Sequence, residues 1–268
     1  MLVIKKILKG VGFIKFLFCS IRPFSKILQL MWAKILHKTF KIQAKRLSFD
    51  LLLEKPMHLI VNDIEQFSYL FNIFYSEPFK ITQTIQESPI IVDGGANIGM
   101  TSIYFHSRFP KATIYAFEPS PANIELLTHN LSNIQCSHIQ QKALWDESKE
   151  LIFNISECSR YNSAFNQEKT TRPVPVEAVR LSDWLETNRI RKIDVLKLNV
   201  EGAEIKAIRG LGNRIADVGL IIGEFHPQFV TNEELFEELH KIKFVLVKMV
   251  KTGKITSIFE AYNPNFYK

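Results

Sequence analysis

The chain reads as an α/β protein: a doubly wound sheet of parallel strands closed by a C-terminal antiparallel hairpin and preceded by a basic helical extension. Three observations predict this. From Ile90 onward, short apolar runs alternate with amphipathic stretches, the pattern of parallel strands covered by helices on both faces. The last two apolar runs, 244–250 and 255–262, flank a Thr252-Gly253 turn and read as a hairpin. Residues 1–46 hold 11 Lys/Arg and no Asp or Glu, whereas residues 47–268 hold 23 Lys/Arg against 27 Asp/Glu. The formal charge of +7 therefore belongs to the first segment, and a basic arm on a mildly acidic body suggests docking to an anionic surface rather than a nucleic-acid stripe.

The first element is that arm, residues 1–46. Its early lysines and apolar run invite a signal-peptide reading, but Lys15 interrupts the run, no small-x-small cleavage pattern follows, and basic residues continue to Arg46. No stretch reaches about 18 uninterrupted apolar residues, so a spanning helix is not expected. From Pro23 a helix places Lys34, Lys38, Lys41 and Lys45 on one face, with Leu28, Met31, Trp32 and Ile35 near the other. Such a helix either lies in the headgroup plane of an anionic membrane or packs on the domain with its lysines in water.

Residues 47–87 form a lid or support. Two β-like runs, 47–53 and 57–61, are separated by Glu54-Lys55-Pro56 as a hairpin, and Asn62 with Glu65 reads as the cap of a helix to about Tyr75, striped by Phe67, Leu70, Phe71 and Phe74. Residues 88–268 are the main domain. Strands are expected at 89–93, 112–118, 137–141, 194–199 and 218–225, with helices at 123–131, 203–209 and 233–240. An insertion, 145–185, carries two further β-like runs. Cys19, Cys136 and Cys158 are an odd number without a C-x-x-C pair or a histidine at ligand spacing, so neither a disulfide framework nor a metal site is expected.

The chemistry concentrates at strand ends. The segment 91–99 is a buried strand ending on Asp93, a turn with Gly94, Gly95 and Gly99, and a helix start near Met100. The glycine spacing does not fit G-x-G-x-x-G, and Asp93 would repel a pyrophosphate while suiting an ammonium or sulfonium charge. Glu118 ends the next strand, 23 residues beyond Gly95, where a carboxylate accepts hydrogen bonds from ribose hydroxyls. Together the two acids point to S-adenosylmethionine. At the end of the fourth strand, Asn199, Glu201 and Glu204 offer polar groups; Glu201 is either functional or a solvated acid, and Glu204 reads as a first-turn helix acid. Lys197 has no assignable direction. At the end of the fifth strand, Glu224 and His226 lie two apart and share one side of an extended segment, with His226 a candidate base or acceptor-binding group set against a structural histidine. His37, His129 and His240 fall on helical surfaces.

The segments 93–105, 115–131, 142–146, 196–211 and 223–227, in this order and spacing, resemble the FkbM family of S-adenosylmethionine-dependent methyltransferases over roughly residues 88–230. The resemblance implies a class I methyltransferase, Rossmann-like fold with a seven-stranded sheet containing one antiparallel strand, and O-methylation of a hydroxyl on a sugar, glycan or secondary metabolite. It implies that Asp93, Gly95, Asn97 and Gly99 line the methionine end of the cofactor, Glu118 the ribose and Ala143 the adenine. Asn199, Glu201 and His226 would face the acceptor, with His226 as base and Glu224 or Glu201 orienting it. Trp145, Tyr161 and Phe165 of the insertion would cover the site. The family commonly has Asp where this chain has Asn199, so either His226 carries the proton transfer or the chain is a non-catalytic module docked to a membrane or glycan-assembly partner. Nucleic-acid amino-group methylation is disfavoured, since Asn199-Val200-Glu201-Gly202 stands where an Asn/Asp-Pro-Pro-aromatic motif belongs. The cofactor and the weak leader case make a cytoplasmic setting the expectation, with attachment of the arm to the inner membrane face as its extension. No motif specifies the acceptor.

Overall fold

The computed structural model describes residues 2–40, 46–155, 172–252 and 256–266. In chain order the elements are α1 (Leu2–Ser20), β1 (Ile21–Arg22), α2 (Phe24–Phe40), β2 (Leu47–Leu51), β3 (Met57–Val61) and α3 (Ile64–Ser76), then β4 (Ile90–Gly94), α4 (Met100–Arg108), β5 (Thr113–Phe117), α5 (Pro121–Leu131) and β6 (Ser137–Gln140). The insertion contributes β7 (Ala143–Trp145), β8 (Lys149–Ile155), β9 (Arg172–Arg180) and α6 (Leu181–Thr187). The chain closes with β10 (Ile193–Leu198), α7 (Glu204–Arg209), β11 (Val218–Phe225), α8 (Asn232–Lys241), β12 (Val245–Lys251) and β13 (Ser257–Tyr262).

Seven strands form the main sheet in the order β12-β13-β11-β10-β4-β5-β6. All neighbours run parallel except β13, which is antiparallel to both β11 and β12. This is the class I methyltransferase, Rossmann-like arrangement expected from the sequence. The strands are apolar on both sides because both faces are covered. Ile91, Ile114, Val195 and Ile222 pack with α4 and α5, while Val92, Leu196, Leu198 and Ile221 pack with α6, α7 and α8. Register brings Gly94 level with both Phe117 and Leu198, and Leu198 level with Gly223. The carboxyl ends of β4, β5, β10 and β11 therefore open on one edge, where a ligand is received in open sheets of this kind.

The insertion folds as a separate small sheet, β7-β9-β8, with β8 antiparallel to β9. Of the aromatics expected to cover the site, Tyr161 and Phe165 lie outside the described residues, as do Cys158 and the Gly253 turn position.

The N-terminal helices and the β1-β2-β3 sheet share one core with the α4/α5 face of the main sheet. Phe13, Leu17, Ile21, Ile27 and Leu30 meet Phe49, Leu59, Phe67 and Phe71 there. The ring centroids of Phe49 and Phe67 are 5.0 Å apart at 89°, and those of Phe13 and Phe71 are 5.1 Å apart at 84°, the edge-to-face geometry favoured by the ring quadrupole. Asn130 of α5 locks the hairpin on: its Oδ1 accepts from the Ile60 amide at 2.9 Å and its Nδ2 donates to the Ile60 and Ile98 carbonyls at 3.0 and 2.9 Å.

Two local expectations shift. The cap of α3 is Asp63 rather than Asn62; Asp63 Oδ1 accepts from the Gln66 amide at 2.8 Å. The inward face of α2 is Ile27, Leu30 and Ala33, while Leu28, Trp32 and Ile35 point outward. Both faces of α2 are apolar, so periodicity alone does not choose between them. Of the lysine face, Lys34 is half-buried with its ammonium 3.3 Å from the Phe13 ring centroid, Lys38 is exposed, and Lys41 and Lys45 lie outside the described residues.

Phe67 is fully buried at the meeting point of α1, β2 and α3. Phe67→Ala is expected to destabilise the chain by about 3–5 kcal/mol, read as a lower urea midpoint at an unchanged slope.

Candidate active site

At the centre of the sheet edge, two opposite charges are buried together. Lys197 on β10 and Asp93 on β4 are register partners, with Nζ and Oδ1 2.8 Å apart and both side chains sealed from solvent. Asp93 Oδ2 also accepts from the Ser102 hydroxyl at 2.6 Å. The Lys197 ammonium donates to the carbonyls of Gly94 and Gly95 at 3.2 and 3.0 Å. Asp93 is thus neutralised within the protein and does not line the cavity in front of it. That corrects the expectation of a free anion waiting for a ligand's positive charge; Asp93 acts on the loop through Lys197.

The loop after β4 is shaped by close backbone approach. Gly95 has φ 75°, and a Cβ there would stand 1.9 Å from the Asn199 carbonyl oxygen, so only glycine fits. Asn97, at φ 52°, turns its amide N–H onto Glu118 Oε2 at 2.8 Å, and its own Oδ1 accepts from the Ile98 amide. Gly99, at φ 92°, precedes α4, and a Cβ there would press on Leu131 and Leu127. It serves helix packing rather than the cavity wall.

Glu118 is buried yet lines the cavity. Its Oε1 accepts from the Ser120 amide and Asn123 Nδ2, both at 3.0 Å. Burial pushes this carboxyl above the ordinary carboxylate value, opposed by those hydrogen bonds and by Lys197. A carboxylate offers about four lone-pair sites; with Asn97, three are taken, which leaves capacity for a ligand hydroxyl. Ala143, Leu144 and Trp145 of β7 form an apolar wall of the same cavity, which measures about 390 Å³.

The other end of the cavity is polar and acidic. Asn199 Nδ2 donates to Glu224 Oε2 at 3.2 Å and to the Tyr69 hydroxyl at 3.3 Å. Because Glu224 only accepts, it fixes the amide orientation and leaves Asn199 Oδ1 buried without a hydrogen-bond partner among the described residues. His226 is held on both ring nitrogens. Its Nε2 lies 3.2 Å from Glu201 Oε2 and its Nδ1 lies 3.2 Å from Glu204 Oε1. Burial alone would lower the histidine, but Glu204, Glu201 and Glu224 outweigh it and raise it to about 9. Burial likewise pushes the Glu201 carboxyl up to about 7, against the His226 charge that holds it down. His226 is therefore a cation at neutral pH, which removes it as the unassisted base expected from the sequence. Glu201 is the group poised to take a proton there.

The structure brings Gly95, Asn97, Glu118, Ala143, Asn199, Glu201 and His226 to one cavity and leaves Asp93 and Gly99 behind its wall. Glu204, expected as a first-turn helix acid, is also bound by the buried histidine, and Gln66, Tyr69 and Asn72 of α3, not among the expected site residues, line the polar end of the cavity. The signal was present: three polar residues recur every third position on a helix otherwise striped with phenylalanine. Burial, and then the Glu224 charge, push the Tyr69 hydroxyl upward, so it stays protonated as a donor.

The chain matches the Methyltransferase FkbM domain family over residues 93–249. It is 34% identical over 196 residues to "Methyltransferase 1" of Beauveria bassiana, covering 62% of this chain and 76% of that protein. It is 24% identical over 174 residues to "2-O-methyltransferase NoeI" of Sinorhizobium fredii, covering 59% of this chain and 70% of that one. Among solved structures, methyltransferase FkbM from Methylobacillus flagellatus is similar in fold, with a TM-score of 0.52 at 11% identity; the match covers 96% of this chain and 60% of that one.

The raised values of Glu201 and His226 set the sign of a pH effect. Both groups bind protons more tightly in the folded chain, so stability falls as pH rises from 4.5 to about 7 through Glu201 and from 6.5 to about 9 through His226. A thermal midpoint followed across this range is expected to decline in the wild type; Glu201→Gln should flatten the lower part and reduce the upper part, since Glu201 helps to raise His226, and His226→Gln should remove the upper part.

Proposed function

The chain belongs to the FkbM methyltransferase family, and we propose that it transfers the methyl group of S-adenosylmethionine to a hydroxyl oxygen of a sugar, glycan or secondary metabolite. One observation carries the reading: a buried carboxylate with spare acceptor capacity, Glu118, and a Glu201–His226 pair backed by Glu204 open on the same cavity at the carboxyl ends of parallel strands. The residues present suit the cofactor. Glu118 would accept from the ribose hydroxyls, Gly95 and Asn97 would border the amino-acid end, and Ala143 with Leu144 would flank the adenine. The unpaired Asn199 Oδ1 is a further acceptor at the junction of the two ends. When bound, the cofactor supplies an activated methyl group on a sulfonium centre.

The chain's own work is then alignment, exclusion of water and removal of one proton. Tyr69 and Glu224 would hold acceptor hydroxyls, and Glu201 would take the proton of the attacking hydroxyl at its cavity-facing carboxylate. His226 would hold that carboxylate in place and offset its charge, while Glu204 keeps the histidine protonated. Asn199, where the family commonly has Asp, fits this arrangement, because an acid there would set a further carboxylate against Glu224. The printed names of relatives support an oxygen acceptor: NoeI is called a 2-O-methyltransferase, and a 23% identical Streptomyces tacrolimicus protein a 31-O-demethyl-FK506 methyltransferase. The acidic cavity wall, with Glu118, Glu201 and Glu224, speaks against a nucleic-acid substrate.

Titration calorimetry with S-adenosylmethionine and S-adenosylhomocysteine tests the cofactor end. Glu118→Ala is expected to weaken both by about 10- to 100-fold, the loss of a charged hydrogen-bond acceptor. Absence of binding to folded wild-type protein would overturn the reading. At the acceptor end, Glu201→Gln is expected to lower turnover by about 10²–10⁴-fold with cofactor affinity unchanged, and the wild-type rate should rise with pH through about 7. Cofactor binding without turnover on any hydroxylated acceptor would favour the binding-module alternative.

A further inference from the structure

A helix on a protein surface needs one apolar face, yet α1 and α2 each have two. The inner faces are covered by the shared core. The outer ones are bare: Ile14 and Phe18 on α1, and Phe24, Leu28, Trp32 and Ile35 on α2, are each between 42 and 62% exposed. Their spacings of three and four residues keep each set on one side of its helix. The Phe18 and Phe24 rings, 5.5 Å apart, join the two sets across the α1–α2 corner. Lys15, Arg22 and Lys38 are exposed on the same helices and the turn between them, and no acidic residue occurs anywhere in residues 1–46.

We propose that this outer face of α1 and α2 docks the protein onto an anionic lipid bilayer, with both helices lying in the membrane plane. The surface combines what such a bilayer offers, an apolar layer beneath negative headgroups, and Trp and Phe are favoured at that boundary. Charge selects this occupant over a second copy of the chain, since pairing through the face would set the exposed Lys15, Arg22 and Lys38 of one copy against those of the other. Among the described residues no helix is long and apolar enough to cross a membrane, so the contact is interfacial. The inner faces remain packed on the body, so docking needs no unfolding of the helices. Lys34, placed over the Phe13 ring, serves the fold and is not among the docking cations.

The full chain is mixed with vesicles of phosphatidylcholine alone or containing about one-third phosphatidylglycerol, an anionic lipid. The wild type is expected to sediment with the anionic vesicles only, to release at about 1 M salt, where the Debye length is about 3 Å, and to show a blue shift of tryptophan emission. Trp145 and Trp184 are already buried, so the shift reports Trp32; Trp32→Phe should keep binding and lose the shift. Leu28→Glu with Trp32→Glu should weaken vesicle binding by about tenfold or more while leaving the melting midpoint and cofactor affinity unchanged, since both positions are exposed. The proposal is overturned by a wild type that ignores anionic vesicles or by a double variant that binds as the wild type does. A wild-type dimer in light scattering that the double variant dissolves would also overturn it and make the face a contact between copies.

Discussion

The Asp93–Lys197 pair has no access to water, and each charge is tolerable only because the other lies 2.8 Å away. A buried pair of this kind adds little to stability in itself, but removing one partner leaves an uncompensated charge and costs about 3–5 kcal/mol. It therefore dictates geometry. Lys197 must face β4, Asp93 must face β10, and the remaining ammonium protons must find the Gly94 and Gly95 carbonyls. The Asn199 backbone N–H closes the same junction by donating to the Gly94 carbonyl at 3.0 Å. The loop after β4 and the loop after β10 are thus clamped to each other, with a gap at Gly95 too small for any side chain.

The same economy of water governs the acceptor end. Glu201, Glu204 and Glu224 crowd around one histidine in a partly dry pocket, and repulsion among the acids is relieved by one proton on the ring. Both groups are pushed upward, Glu201 by burial and His226 by the acids around it, so the carboxylate nearest the cavity is brought close to neutrality beside a protonated ring. Glu204 is fully buried and takes both the Gly202 amide and the His226 ring on Oε1. The tight turn at Glu201 and Gly202, both at positive φ, delivers the cavity-facing acid and the buried acid from one short segment.

Much of this was legible in the chain. Fully buried strands announce themselves as apolar runs, and acids at their ends, such as Glu118, stand out against that background. What was not legible depends on neighbours. In a strand covered on both faces, alternation gives no direction to Lys197. In α2, apolar residues on two sides left the inward face undecided until α1, β2 and α3 covered Ile27 and Leu30. Glu204 looked like an ordinary first-turn acid because nothing local reveals that a histidine 22 residues later will bury against it. Taken singly, Tyr69 carries no local mark of a cavity residue, because it stands beside a phenylalanine stripe on the same helix.

That stripe and its polar counterpart give α3 two faces. Phe67, Leu70 and Phe71 are locked in the core, while Tyr69 and Asn72 face the cavity, separated by the roughly 100° turn between successive helical residues. A substitution at 72 alters the pocket wall without touching the phenylalanines, whereas one at 69 also reaches the core against which its ring packs. Change at 72 on that helical edge can therefore reshape the pocket while the strand ends and the packed rings stay in place.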